Sequence, residues 1–350
     1  MNILVGTPPG LGHLLPVVPL AWAARAAGHD VRVMTHGPAA RAAAQAGLAV
    51  FDIVPDRPDA LGVAMDDRIV DRAMRAVVSW PPNLVVHMFG DFIAPALATM
   101  HSIPLVLHGL GLPHPGTSAA PPPPDVASAL ERLGHHVVMP HAVAVLDPCP
   151  PSLREPGQPA AWPLRYVPYN GGCTLPDWLQ RSSSRPRVCV TLGTQIPIRA
   201  GLRHFTPIVQ ALRGLGAVEF VVVLGRAGGR RIGSLPGAVQ VTEWLPLTEL
   251  LPTCAAIVHH GGAGTTMGAV AAGVPQLVVS YRDGATIARR GLGLTVTPDD
   301  ADPGVVRGRV VRLLEDPLFR QAALEVSAEN ASQPPPSAAV DDLCRLVGGG

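Results

Sequence analysis

The chain reads as an α/β protein with two doubly wound parallel sheets, and three observations predict this. Residues 1 to about 145 alternate short apolar runs with alanine-rich, helix-like segments. The same rhythm restarts after Arg187. Between them lies a stretch rich in Pro, Gly and Ser, with little periodicity. Strand, helix, strand, helix is the rhythm of a parallel sheet.

In the first half, strands are expected at Asn2 to Val5, Asp30 to Met34, Leu84 to His87 and Leu105 to Leu107. Helices are expected near Leu15 to Ala27 and Phe92 to Met100. The second half offers strands at Val188 to Thr194, Glu219 to Leu224, Val239 to Val241, Ala255 to Val258 and Gln276 to Val279. Asp302 to Ala331 reads as helical, and the run Gln333-Pro334-Pro335-Pro336 precedes a last helix near Val340 to Leu346. Pro121 to Pro124 reads as a surface loop. The expected boundaries are therefore a first domain at 1–150, a linker at 151–186, a second domain at 187–332 and a terminal segment at 333–350. Doubly wound sheets place their ligands at the carboxyl ends of the strands.

With 350 residues the chain is long enough for two domains with full cores. It is 47% hydrophobic and 15% charged, with a formal charge of +1, so nothing suggests nucleic acid as a partner. There is no lysine; every fixed side-chain cation is an arginine. Cys149, Cys173, Cys189, Cys254 and Cys344 are odd in number and widely spaced, which indicates neither a disulfide framework nor a zinc site. A reducing cytoplasm is the expected setting. The start, Met1-Asn2-Ile3-Leu4-Val5-Gly6, reads as a strand without a basic leader, and no apolar run approaches the ~20 residues of a membrane span.

The most informative motif is Val258-His259-His260-Gly261-Gly262-Ala263-Gly264-Thr265-Thr266. It follows a buried-strand run and opens an alanine-rich helix reaching about Ala272, with Thr265-Thr266 as expected caps. Glycines permit a tight turn and close backbone approach. Unpaired N–H groups and the helix dipole then favour a phosphate or diphosphate over the turn, and a histidine there adds a donor.

Trp244, in Glu243-Trp244-Leu245-Pro246, lies upstream of this motif, and Gly273-Val274-Pro275 lies downstream. In that order these elements resemble the donor-site signature of GT-B nucleotide-sugar glycosyltransferases, more narrowly the inverting enzymes that glycosylate natural products in antibiotic-producing bacteria. The resemblance implies two Rossmann-like domains facing a cleft, with the final helix packed back on the first. It also implies that the donor base stacks on Trp244 and that His260, Gly261, Gly262, Gly264 and Thr265 hold the diphosphate. Thr191-Leu192-Gly193-Thr194 resembles a second family loop, which would turn Gly193 and Thr194 toward the donor phosphate and sugar.

After the first strand comes Gly6-Thr7-Pro8-Pro9-Gly10-Leu11-Gly12-His13-Leu14-Leu15-Pro16. Its Gly-His-x-x-Pro element resembles the family loop whose histidine deprotonates the acceptor hydroxyl, which makes His13 the expected general base. An unperturbed histidine pKa of about 6.5 suits that task. Pro9 and Gly12 on the same loop, with His87 and His108 at strand ends, are the expected acceptor-side residues. Asp91 is expected to orient His13 or meet the acceptor, or else to cap the following helix. Helix-terminus N–H groups and His260 would stabilise the departing diphosphate, so neither a metal nor a cofactor is expected. The co-substrate would be a dTDP- or UDP-linked hexose or deoxyhexose and the acceptor a flat, hydrophobic aglycone, joined through oxygen or carbon; a homodimer is left open.

One departure stands out. The family usually carries an acidic residue followed by Gln after the Gly-Val-Pro strand, contacting hydroxyls of the transferred sugar. Here Asp283 matches the acid while Gly284 replaces the amide. The first half is also short between Val54 and Trp80, where relatives have longer acceptor loops. Loss of the amide suits a deoxysugar donor, or equally a weakened enzyme. The main alternative is therefore a GT-B nucleotide-binding protein that assists a partner transferase. A Rossmann dehydrogenase is excluded because Gly10-Leu11-Gly12 is followed by Leu15 and the second strand leads to His36. Asp300-Ala301-Asp302 has the letters of a metal-binding D-x-D pair, but precedes Pro303 and a helical run, where Asp is a cap.

Overall fold

The computed structural model describes residues 1–61, 66–112, 123–132, 141–158, 160–181, 183–193, 208, 210–211, 215–223, 239–281 and 284–348. The chain divides into two compact units.

The first unit comprises Met1–Cys149, Arg154–Gly171 and Gln333–Gly350. Its strands are β1 (Asn2–Gly6), β2 (Asp30–Thr35), β3 (Ala49–Asp52), β4 (Leu84–Met88), β5 (Leu105–His108), β6 (Ala144–Asp147) and β7 (Trp162–Pro163). They form one sheet in the order β3-β2-β1-β4-β5-β6-β7, every pair parallel. The period-two alternation of a strand splits its core. Ile3, Val5, Val33 and Val86 pack on one face with the helices Val18–Ala26 and Pro336–Gly348. Leu4, Met34, Val85 and Leu105 pack on the other, against Asp67–Ser79, Ile93–Met100 and Pro124–Arg132.

The second unit comprises Pro150–Leu153 and Gly172–Ser332. Its strands β8 (Arg187–Thr191), β9 (Glu219–Val223), β10 (Val239–Thr242), β11 (Ala256–His259), β12 (Gln276–Val279) and β13 (Gly293–Val296) run in the order β10-β9-β8-β11-β12-β13, again all parallel. Val188, Val190, Phe220, Val258 and Leu277 line one core face, and Cys189, Val221 and Ile257 the other. Both sheets share one winding. Strand order reverses between β1 and β4 in the first and between β8 and β11 in the second, and such a switch point opens a ligand crevice at the carboxyl ends.

Every strand expected from the apolar runs is present. Missed were β3, β6, β7 and β13. The stretch 151–186 is not a simple linker. Residues 154–171 belong to the first unit, where Trp162–Pro163 pairs with Leu146 and Asp147 as an edge strand, the sheet position that tolerates proline. The remainder belongs to the second unit. The segment 302–331 is two helices, Pro303–Glu315 and Pro317–Ser332, because Pro317 forces Asp316 into extended backbone. Asp302 caps the first of them, its carboxylate accepting from Gly304 N and Val305 N at 2.7 and 3.0 Å. Of the proline run, residues 121–122 lie outside the described residues, and Pro124 opens a helix. The last helix is longer than expected, and its Ala339, Val340 and Leu343 are buried in the first unit's core.

Candidate active site

In the second unit, β11 ends at His259 and the chain turns through His260, Gly261 and Gly262 into the helix Ala263–Ala271. Gly261 has φ +87°, a conformation that glycine adopts without strain. The helix starts earlier than Thr265-Thr266 suggested. Its N-cap is Gly262, which offers no side-chain acceptor, and Thr266 instead donates from Oγ1 to Gly262 O at 3.1 Å. The first intrahelical bond runs from Thr266 N to Gly262 O, so the N–H groups of Ala263 and Thr265 precede the ladder at the positive end of the helix dipole.

The His260 ring is held between two glycines. A Cβ on Gly193, at the end of β8, would lie 2.4 Å from His260 Cε1 and 2.9 Å from Nε2. A Cβ on Gly262 would lie 2.4 Å from Nε2. Only residues without side chains leave space for the ring, which places this half-buried imidazole at the β8/β11 switch point. Gly193 also has φ +67°, and its N–H donates to Thr191 Oγ1 at 3.1 Å.

Sequence reasoning missed the support beneath this turn. His259 and Gln276 are both fully buried. Gly261 N–H donates to His259 Nδ1 at 3.1 Å, so that nitrogen carries a lone pair; Nε2–H then donates to Gln276 Oε1 at 2.8 Å. Gln276 Nε2 in turn donates to Thr266 O at 3.3 Å. Burial drives the His259 pKa down to about 3, which keeps the ring neutral. Gly261 N–H is thus already engaged, contrary to the expectation that the turn's N–H groups are unpaired. Burial in the folded sheet is what gives His259 and Gln276 their partners, and neither residue type announces this locally.

Trp244 follows β10, half-buried, and belongs to none of the packed clusters, whereas its neighbour Leu245 does. Thr242 Oγ1 donates to Trp244 O at 3.1 Å. Thr194 and Asp283 lie outside the described residues, as does the arginine cluster at 226–231.

In the first unit, the loop after β1 leads into a one-turn helix, Leu11–Leu14, which carries His13. His13 is half-buried with Nδ1 buried, so the exposed part of the ring is elsewhere. Pro9 O accepts from Ala39 N at 3.1 Å, tying the loop to the segment after β2, and Gly12 is exposed with open space at its Cβ position. Asp91 follows β4, across the switch point. Its Oδ1 accepts from Ile93 N at 3.1 Å and Ala94 N at 3.4 Å, capping the helix. Its Oδ2 is buried without a hydrogen-bond partner among the described residues and lies over Gly6, where a Cβ would come within 2.0 Å. Burial pushes the Asp91 carboxyl up to about 7, against the opposing pull of the two N–H groups.

His87 is half-buried, and burial lowers its pKa to about 4. His108 is a correction to the expected acceptor rim: it is 1% exposed, with Nδ1 bonded to Gly109 O at 2.7 Å, and burial lowers its pKa to about 4. Thr7 Oγ1 and His36 Nε2, just past the ends of β1 and β2, are buried without hydrogen-bond partners among the described residues. Among those residues no group of three His, Cys, Asp or Glu could hold a metal, and no helix is long and apolar enough to cross a membrane.

Two doubly wound parallel sheets of equal winding, one carrying a histidine-glycine turn at its switch point, define the GT-B class of glycosyltransferase. Solved structures agree. Glycosyltransferase SnogD from Streptomyces nogalater is 36% identical with a TM-score of 0.79, each chain covered to 99%. Glycosyltransferase SsfS6 from Streptomyces sp. SF2575, complexed with thymidine diphosphate, is 27% identical with a TM-score of 0.78 over 100% of both chains. The L-demethylnoviosyl transferase of Streptomyces niveus is 37% identical over 98% of this chain and 97% of its own. The erythromycin biosynthesis protein CIII-like family matches through its N-terminal domain at residues 59–193 and its C-terminal domain at 209–346. The chain belongs to that family and is a natural-product glycosyltransferase.

Proposed function

We propose that this enzyme transfers a deoxyhexose from a dTDP-sugar to a hydrophobic, aromatic polyketide-like aglycone, with inversion at the anomeric carbon. The observation that carries the reading is the His260 ring seated between Gly193 and Gly262, beside the start of a helix with no side-chain cap. That combination suits a diphosphate. The thymidine diphosphate in the SsfS6 complex and the L-demethylnoviosyl group named for the Streptomyces niveus transferase support the choice of donor.

In this mechanism His13 takes the proton from the acceptor hydroxyl, and the oxygen attacks the anomeric carbon from the face opposite the leaving group. The bond to the diphosphate breaks with its electron pair, and His260 with the helix N–H groups receives the new charge. Direct displacement inverts the centre. Asp91 is a positioning residue for the base, Pro9, Gly12 and His87 face the acceptor, and Trp244 stacks on the thymine. Neither metal nor organic cofactor is required, because the charge of the leaving group is met by protein donors. A cytoplasmic setting, where nucleotide sugars are made, belongs to the same reading.

The test is calorimetric titration of dTDP and UDP into wild type and His260→Ala, paired with turnover of His13→Ala on phenolic acceptors. Loss of dTDP binding in the first variant and of turnover in the second supports the proposal. Intact nucleotide binding with no wild-type turnover on any donor would sink the catalytic part, and absence of all binding would sink the whole.

A further inference from the structure

We propose that His259 and Gln276 are positioning residues for the donor diphosphate, acting through the Gly261 peptide to set the turn that carries His260. The inference deepens the donor-site reading above and rests on it.

A turn built on two glycines lacks stiffness of its own. Two consecutive glycines can populate several backbone conformations, including both signs of φ, so a Gly261-Gly262 turn does not by itself hold His260 in one place. Ordering it only when ligand arrives would cost binding energy. The structure holds it beforehand through a closed circuit of hydrogen bonds. Gly261 N–H is bonded to His259, His259 to Gln276, Gln276 to Thr266 O, and Thr266 returns through both its N–H and its hydroxyl to Gly262 O. Both glycines are therefore tied to a rigid element on either side.

The circuit has one polarity only. A backbone N–H can only donate, which makes His259 Nδ1 an acceptor and Nε2–H a donor. Gln276 must then present its oxygen to the ring and its amide nitrogen to Thr266. The Gln276 backbone is itself tied to β13: its N–H donates to Leu292 O at 3.0 Å, and Gly293 in β13 approaches so closely that a Cβ there would lie 1.8 Å from Gln276 O. Carbon side chains at 259 or 276 would leave buried polar groups unsatisfied and release the Gly261 peptide.

Three measurements test this on the full-length protein. Nitrogen NMR of wild type labelled at histidine reads the tautomer of His259, expected to be protonated on Nε2 and bare on Nδ1. Titration of dTDP into His259→Leu and Gln276→Leu is expected to show binding weakened about tenfold, the worth of one to two buried hydrogen bonds. The KM for the dTDP-sugar should rise while that for the aglycone stays near wild type. His259→Asn should recover part of the affinity, because an Asn oxygen accepts from the N–H two residues on while Gln276 Oε1 stays without its donor. A merely structural role would lower the unfolding temperature of these variants without moving the dTDP affinity or splitting the two KM values.

A His259 protonated on Nδ1, or folded Leu variants that bind dTDP within about twofold of wild type, would overturn the inference. If the Leu variants do not fold, the wild-type tautomer and His259→Asn decide it. Loss of binding in His260→Ala with unchanged binding in His259→Leu removes this inference alone; intact binding in His260→Ala removes the donor-site reading along with it.

Discussion

Gly284 lies directly under Thr295: a Cβ on Gly284 would stand 2.2 Å from Thr295 Cγ2 and 3.3 Å from Val278 Cβ. The position where the resemblance implies a glutamine is therefore closed here by packing against β13. Gly284→Gln is expected to destabilise by about 1–3 kcal/mol through overpacking, without improving use of a fully hydroxylated hexose donor. Adding Thr295→Ser, which removes Cγ2, should recover part of the loss. Thermal unfolding of the three proteins checks the order, and a Gly284→Gln variant as stable as wild type would contradict it.

Gly262 has φ −58° and ψ 133°, which any residue can adopt, so Gly262→Ala acts through space alone. Its methyl group would displace the His260 ring and weaken dTDP binding by about tenfold or more, the loss of a hydrogen bond to a charged group. Gly193→Ala should do the same and also lower stability, by about 1–2 kcal/mol, because its φ of +67° strains any L-residue. Paired titration and urea unfolding separate the two effects.

Asp91 predicts a pH signature. Its carboxyl rises from 3.8 in the unfolded chain to about 7 in the fold, chiefly through burial. The folded state therefore holds the proton more tightly, and stability is lost as pH rises from the unfolded value through about 7. Asp91→Asn keeps an oxygen for Ile93 and Ala94 but cannot ionise. Its stability relative to wild type should increase between pH 4 and 7 and level off above, while turnover falls. A stability difference that does not change with pH would refute the assignment.

Arg187 is 3% exposed and binds Glu219 at 3.1 Å, with Nη1 donating to Thr253 Oγ1 at 2.7 Å. Glu219→Ala leaves that guanidinium buried without its carboxylate and should cost about 3 kcal/mol. Arg187→Met, which removes the buried charge itself, should cost less. Urea unfolding of both variants measures the difference.

Much of the donor half was legible because its signals are local. The glycines of the His260 turn, the tryptophan after β10 and the run of β11 all lie within residues 244–264, and the apolar runs of β1, β2, β4 and β5 stand out against alanine-rich helices. His13 and Asp91 were legible as residues, but not the buried state that raises the Asp91 pKa.

The sequence by itself determined the α/β class, the two sheets and the identity of the turn, since apolar periodicity and glycine placement act over a few residues. Only the tertiary structure decided that residues 154–171 complete the first sheet, that His108 is sealed in the interior, and that His259 and Gln276 brace the turn beneath His260. These outcomes depend on desolvation and on partners brought together by strand pairing. His259 meets Gln276 across adjacent strands, 17 positions along the chain, and no local pattern encodes that contact.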